Sequence, residues 1–161
     1  KLIKAAEEDA RKKGAQGMVA WGVSLPFWMK ASWFKKQGYE KVDKQGMAVL
    51  LWKPFSKDAI APKWIKPKKT PKKIPGVVSV TAFLNGWCPS QNIVFERAKR
   101  ASLEFGDKVV FTAIDTFNRE IFSEWGIADA LYIDGKEVRT GPPPSYEELK
   151  EKITKKLKKL K

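Results

Sequence analysis

The sequence predicts a mixed α/β chain of the α+β type, built in two parts joined by a charged strap. Three observations predict it. Short apolar runs of four to eight residues alternate with amphipathic helical patterns along both ends of the chain. A segment at 56–76 carries seven Lys, one Asp and prolines at 62, 67, 71 and 75, a composition that breaks both patterns. Hydrophobic residues make up 43% of the 161 residues and aromatic residues 12%, too many for a disordered chain.

Several classes are excluded at once. No run of 18 apolar residues is present, so no membrane-spanning helix is expected. No apolar stretch follows a basic start in the manner of a secretory signal. One Cys and no His leave no internal disulfide, no ordinary zinc site and no Ser-His-Asp or Cys-His constellation. A single thiol fits a reducing compartment, and a cytoplasmic location is expected. The net charge of +14 is uneven: residues 1–55 and 56–76 each carry +6, and residues 77–161 only +2. Such a field favours polyanions, but it also keeps small proteins in solution.

In the first part, Leu2, Ile3, Ala6 and Ala10 form one helical face, and Gly14 suits the stop. "GMVAWGV" gives a buried strand at 18–23. Pro26 is expected to open a second helix through Phe27, Ala31 and Phe34, ending at Gly38. "YEKV" and "MAVLLWK" are expected as two strands around a turn at Asp43 to Gly46. Three strands cover too little of an apolar strand and helix, and no cap precedes the helix. The expectation is therefore that the sequence opens inside a domain, whose sheet upstream residues or a second polypeptide would complete.

The strap should be extended and polyproline-like, because Pro removes amide donors and Lys repels Lys. Trp64 and Ile65 could pin it to a domain. Its "PKWIKPKKTPKK" interleaves lysine with an aromatic ring, as a nucleic-acid contact would. The plain charged linker is favoured over that reading, so nucleic acid is disfavoured as a partner.

The last part reads strand (77–84), helix (about 91–105), strand (109–115), short helix, hairpin and closing helix. The strand-helix-strand start implies a right-handed crossover and parallel pairing. Val94, Ala98, Ala101 and Phe105 should face inward. Thr116 is the expected N-cap of the short helix. Asp134-Gly135 is a hairpin turn between "ALYID" and "KEVRT". Ser145 and Glu148 form a capping box for a helix with Leu149, Ile153, Leu157 and Leu160 inward. About 85 residues suffice for an independent core here.

"LIKAAEEDARKKGAQGMVAW", "ASWFKKQGYEKVDKQG" and "AVLLWKPF" resemble the C-terminal half of a GCN5-related N-acetyltransferase (GNAT) domain. The resemblance implies a partial GNAT-type mixed sheet in residues 1–55. It also implies acetyl-CoA as co-substrate, an amine acceptor (a small molecule or a peptide) and the N-terminal half of the acetyltransferase domain as a missing partner. In that family a Gly-rich turn before the first helix of this sequence holds the pyrophosphate, and the strand before it polarises the thioester. Neither is in the 161 residues. The family pattern "FY-x-K-x-GF" is matched by Trp33 to Tyr39, with Phe34 where the family often has a proton-donating Tyr. Its frequent Asn is replaced by Phe27 or Trp28. By this resemblance Ala31, Phe34 and Lys35 are the candidate cofactor contacts. Domain core is the competing reading for the aromatic residues and a solvated helix face for Lys35.

"NGWCPSQN", "VVFTAIDT" and "WGIADALYIDGKEVRTGPPPSYEEL" resemble the YoaP-like thioredoxin-fold domains that follow acetyltransferase domains in some bacterial and archaeal proteins. The resemblance implies a thioredoxin-like βαβαββα domain at 77–161. It places Cys88 as candidate thiol between Trp87 and Pro89, at a helix N-terminus. Gln91 stands where the second Cys of a C-x-x-C would be, so two-thiol exchange is impossible. Ala130 stands where the family has its cis-Pro. A one-thiol chemistry through a sulfenic acid or mixed disulfide remains open, beside the reading of Cys88 as a small buried hydrophobe. Asp115, Asp129 and Asp134 are not spaced for a metal. The functional expectation is an acyl-CoA-dependent N-acetyltransferase with a thioredoxin-like second domain. The alternatives are a one-thiol module and a polyanion-binding protein.

Overall fold

The structure, a computed structural model, describes residues 2–25, 29–138 and 142–160. It divides into two compact units, Lys1–Trp64 and Ile65–Lys161. The dividing point falls within the Lys/Pro-rich segment, whose residues 59–74 form no helix or strand. Among the described residues no helix is long and apolar enough to cross a membrane.

The first unit holds α1 (Leu2–Lys12), β1 (Gly17–Val23), α2 (Ala31–Lys36), β2 (Glu40–Gln45) and β3 (Ala48–Pro54). Its sheet has the order β1-β3-β2. Both neighbours run antiparallel to β3, so the three strands make an antiparallel sheet rather than the mixed one expected. The reason is topological. α2 carries the chain from β1 across to β2, and the hairpin then folds β3 into the gap between them. Ala31, Tyr39, Val49 and Leu51 form the core, with Ile3, Met18, Ala20 and Phe34 packed against it.

Three local expectations change in this unit. The face of α1 that turns inward is Ile3, Glu7 and Ala10, whereas Leu2 and Ala6 are exposed. Glu7 is buried because Lys53 reaches it: Nζ lies 2.7 Å from Glu7 Oε2 and also donates to Gln37 O at 2.8 Å. The helix start expected at Pro26 lies, with Phe27 and Trp28, outside the described residues. α2 itself starts only at Ala31, because Met29 has φ 44° and Lys30 is extended. Val23 N donates to Met29 O at 2.8 Å, and Gly22 makes that closure possible: a Cβ there would lie 2.7 Å from Met29 O and 2.9 Å from Ala31 N. The hairpin turn sits at Gly46-Met47 rather than Asp43 to Gly46, since Gln45 still pairs with Ala48. Asp43 instead accepts from Trp64 N at 2.9 Å, so the strap is pinned at that point.

The second unit holds β4 (Val78–Leu84), α3 (Pro89–Leu103), β5 (Val109–Asp115), α4 (Arg119–Trp125), β6 (Ala130–Ile133), β7 (Lys136–Glu137) and α5 (Tyr146–Leu157). The sheet order is β5-β4-β6-β7. β4 pairs parallel with β5, as the crossover requires, and antiparallel with β6. Six of its seven residues are buried, as expected of a central strand covered on both faces. Val94, Ala98 and Ala101 of α3 and Leu149 and Ile153 of α5 join β4 in one core. Phe105, Leu157 and Leu160 pack on its margin. The capping box at Ser145 and Glu148 is formed in both directions.

Three boundaries differ. α3 starts at Pro89, two residues before the expected start, because proline tolerates the first helical position where its missing amide costs nothing. Asn118, not Thr116, caps α4, its side chain accepting from Glu120 N and Ile121 N. Thr116 is buried instead, and its hydroxyl donates to Ala128 O. Of the expected strand "KEVRT", Lys136 and Glu137 form β7, Val138 N adds a bond to Leu131 O at 2.8 Å, and Arg139 and Thr140 lie outside the described residues.

Candidate functional site

Each unit presents one concavity beside residues singled out in the sequence. In the second unit, β4 ends at Leu84 and the chain turns through Asn85, Gly86, Trp87 and Cys88 into α3. The turn is tied down at several points. Asn85 N donates to Asp129 Oδ1 at 3.0 Å, Trp87 N to Asn85 Oδ1 at 2.9 Å, and Asn92 Nδ2 to Gly86 O at 3.2 Å. Gly86 has φ 81°, a conformation that glycine adopts without strain. Burial pushes the Asp129 carboxyl above its usual range, and the Asn85 amide opposes that shift.

Cys88 is the N-cap residue of the 15-residue α3, half-buried, with its carbonyl accepting from Asn92 N at 3.0 Å. Pro89 follows as an exposed first helical residue. Trp87 is 80% exposed. It borders a groove of about 580 Å³ at the carboxyl ends of β4 and β5, together with Leu84, Asn85, Gly86, Asp115 and Phe117. Trp87 and Phe117, the latter 71% exposed, make its apolar walls. Cys88 and Pro89 do not line this groove, so Trp87 is the member of the Trp-Cys-Pro turn that faces it. The crevice outside the carboxyl ends of parallel strands is where open α/β sheets commonly bind ligands. Ala130 opens β6, paired with Phe83.

In the first unit the three candidate positions separate. Ala31 is buried against Gly22. Phe34 belongs to the core margin, edge-to-face with Trp33 at 5.0 Å and Tyr39 at 5.7 Å. Lys35 is exposed on the next turn of the helix surface. Ala31 and Lys35, but not Phe34, line a cavity of about 460 Å³ between the end of β1, α2 and the β2–β3 hairpin. Lys30, Lys41 and Lys44 also line it, and the sequence reading did not single them out. Among the described residues, no group of His, Cys, Asp and Glu is placed to hold a metal ion.

Behind α2 lies a buried polar trio. Tyr39 is 2% exposed, and burial and then the Glu7 charge push its phenol up to about 12. Glu7 moves the other way: burial alone would raise its carboxyl, but the hydrogen bond and charge of Lys53 outweigh burial and leave it below its ordinary value. The trio holds α1 to β3 and to the start of β2, and it does not face the cavity.

No protein-family model matches the chain, and no curated protein is similar to it.

Proposed function

We propose that the first unit is part of an acyl-CoA-dependent N-acetyltransferase of the GCN5-related class, and that the second is a YoaP-like thioredoxin-fold domain. The observation that carries this reading is the order α1-β1-α2-β2-β3, with the Trp33 to Tyr39 segment ending α2 and leading into β2. The residues present fit a phosphate-bearing acyl donor at α1. Its first turn carries no acidic residue that would oppose an anion, and a helix N-terminus favours one. In the proposed reaction the acceptor amine attacks the thioester carbonyl directly. The N–C bond forms, the C–S bond breaks, and the proton lost by the attacking amine passes through solvent water to the departing CoA thiolate. Phe34 has no proton to give to that thiol. Tyr39 lies in the core at 2% exposure, away from the cavity, and is not placed to reach that thiol either.

Calorimetry with acetyl-CoA tests this reading. The 161-residue chain should bind weakly, because the family's Gly-rich pyrophosphate turn is not among its residues. A form extended upstream through such a turn should bind at least tenfold tighter, about 1.4 kcal/mol. Equal affinities would overturn the assignment.

The position of Cys88 favours a second reading, a one-thiol module. Its place at the N-terminus of α3 beside the exposed Trp87 would suit a thiolate that attacks a small-molecule disulfide. A mixed disulfide forms at Cys88 and a thiolate departs. Mass spectrometry after incubation with a small-molecule disulfide should then show a mixed-disulfide adduct at Cys88, formed faster than on a free cysteine peptide and lost in Cys88→Ser. Formation no faster than on the peptide would reject this chemistry.

A further inference from the structure

We propose that the 460 Å³ cavity of the first unit is a binding site for a small organic phosphate, held by Lys30, Lys35, Lys41 and Lys44. This goes beyond the acetyl-transfer reading and does not depend on it. No residue of α1 lines the cavity, so it is not the place where that reading puts the pyrophosphate, although Ala31 and Lys35, which the resemblance sets against the cofactor, both line it.

The composition of the wall is the first argument. Four lysines and the hydroxyl residues Ser24 and Ser32 line it, and no carboxylate does. Among the described residues none of these four ammonium groups is in an ion pair, although Lys53, Lys69 and Lys150 each find a carboxylate. Four like charges around one concavity repel each other, and an anion between them relieves that repulsion. Lysine serves phosphate as a point charge with freely rotating donors.

The second argument is how the strand assembles this wall. Lys41 and Lys44 are an odd number of residues apart, so a regular strand would send them to opposite faces. β2 is not regular. Lys41 pairs with Leu51 and Asp43 with Leu50, which leaves Val42 as the extra residue of a β-bulge. After the bulge Lys44 pairs with the buried Val49, on the same face as Lys41 beside Leu51. The same shift turns Asp43 to the other face, where it accepts from Trp64 N and from Lys44 N. One inserted residue thus brings a second lysine in and takes the nearest carboxylate out. On α2, Ser32 and Lys35 are three residues apart, and so share a helix face.

The third argument concerns the ligand body. Val23, Ala31 and Val49 give the cavity an apolar floor. Its volume is within the range of small-molecule sites and exceeds what a bare inorganic anion fills. An organic group attached to the phosphate would lie on that floor.

The test uses the full chain with inorganic phosphate and phenyl phosphate as probes, the same charged group without and with an apolar body. Saturable one-to-one binding is expected by calorimetry or by NMR shifts, with phenyl phosphate at least fivefold tighter. The pair Lys41→Gln and Lys44→Gln should weaken phenyl phosphate at least tenfold. The charge-matched pair Lys68→Gln and Lys72→Gln, in the strap, should leave it within twofold. Acetyl-CoA should not displace phenyl phosphate. Equal loss in both lysine pairs would reduce the effect to net charge and overturn the site. Equal affinity for the two probes would overturn the organic ligand. Displacement by acetyl-CoA would make the cavity part of a cofactor site and overturn a separate ligand. Preferential binding of an RNA or DNA oligonucleotide, lost with the strap pair, would overturn it in favour of nucleic acid.

Discussion

Gly126→Ala is expected to destabilise the second unit by about 3 kcal/mol, the scale of a severe backbone-strain substitution. Two effects combine. Gly126 caps α4 in the left-handed region, at φ 69°, and its N–H bonds Phe122 O at 2.7 Å. A side chain there costs about 1 kcal/mol on conformation alone. The larger effect is contact. A Cβ would lie 2.1 Å from Lys66 O, 2.9 Å from its carbonyl carbon and 3.2 Å from Pro67 Cα. All three are backbone positions, so no rotamer change relieves them. The strap must lift away, and Lys68 N must give up its bond to Trp125 O at 2.8 Å. Lys69, which pairs with Glu124 and lies 4.1 Å above the Trp125 ring, should be released with it. Gly76→Ala is the control, since Gly76 has φ 80° but nothing within 4 Å of a built Cβ. It should cost about 1 kcal/mol. Denaturant titration of both variants, with trypsin cleavage after Lys68 and Lys69, checks this. Equal losses would show that the strap does not press on the cap of α4.

Lys53→Met should cost the first unit about 3 kcal/mol near neutral pH, the lower end for breaking a buried pair, since Lys53 is a quarter exposed. The loss is mostly what is left behind. The Glu7 side chain is 9% exposed, and without Lys53 the more distant charge of Arg11 is what, among the described residues, still offsets burial of its carboxylate. The pH dependence follows from the sign of the shift. In the fold Glu7 sits below its ordinary value near 4.5, so its contribution to stability is fully present above that value. It is lost as pH falls through the folded value. The gap between the parent and Lys53→Met should therefore be widest at neutral pH and narrow as the carboxylates protonate. A gap constant with pH would mean that Lys53 acts through its aliphatic stem and its bond to Gln37 O alone.

What could be read ahead of the structure was set by period and by turn chemistry. The inward residues of α3 and α5, the Ser145 capping box and the parallel pairing of β4 with β5 follow from helical spacing and crossover geometry. Each depends on residues within one turn or one connection. Two of the misreadings share a cause, a tertiary partner that sequence spacing does not contain. Glu7 looked like the polar side of α1 until Lys53, 46 residues away, supplied its counter-charge. Thr116 looked like a cap until Ala128 O took its hydroxyl. The cavity was the least legible feature. Lys41 fell in an expected strand and Lys44 in an expected turn, so nothing placed the two side by side, and the unpaired Val42 leaves no mark in composition. Ala31 and Lys35 were reachable through resemblance, and they stand in that cavity, while Phe34 went to the core margin.

The outer edge of β1 has a consequence for how copies of the molecule meet. Among the described residues β1 pairs along its length only with β3, and its other side is capped by a single bridge from Val23 to Lys30. The strand carries no charged residue, and Val19 is 50% and Trp21 42% exposed. Strands of that kind template sheet growth between molecules, and proteins usually blunt them with a lysine or a proline on the strand itself. Here the deterrent is collective. A net charge of +14 holds copies apart over a screening distance of about 8 Å at physiological ionic strength. Raising salt shortens that distance, so light scattering by this 161-residue chain should rise with ionic strength.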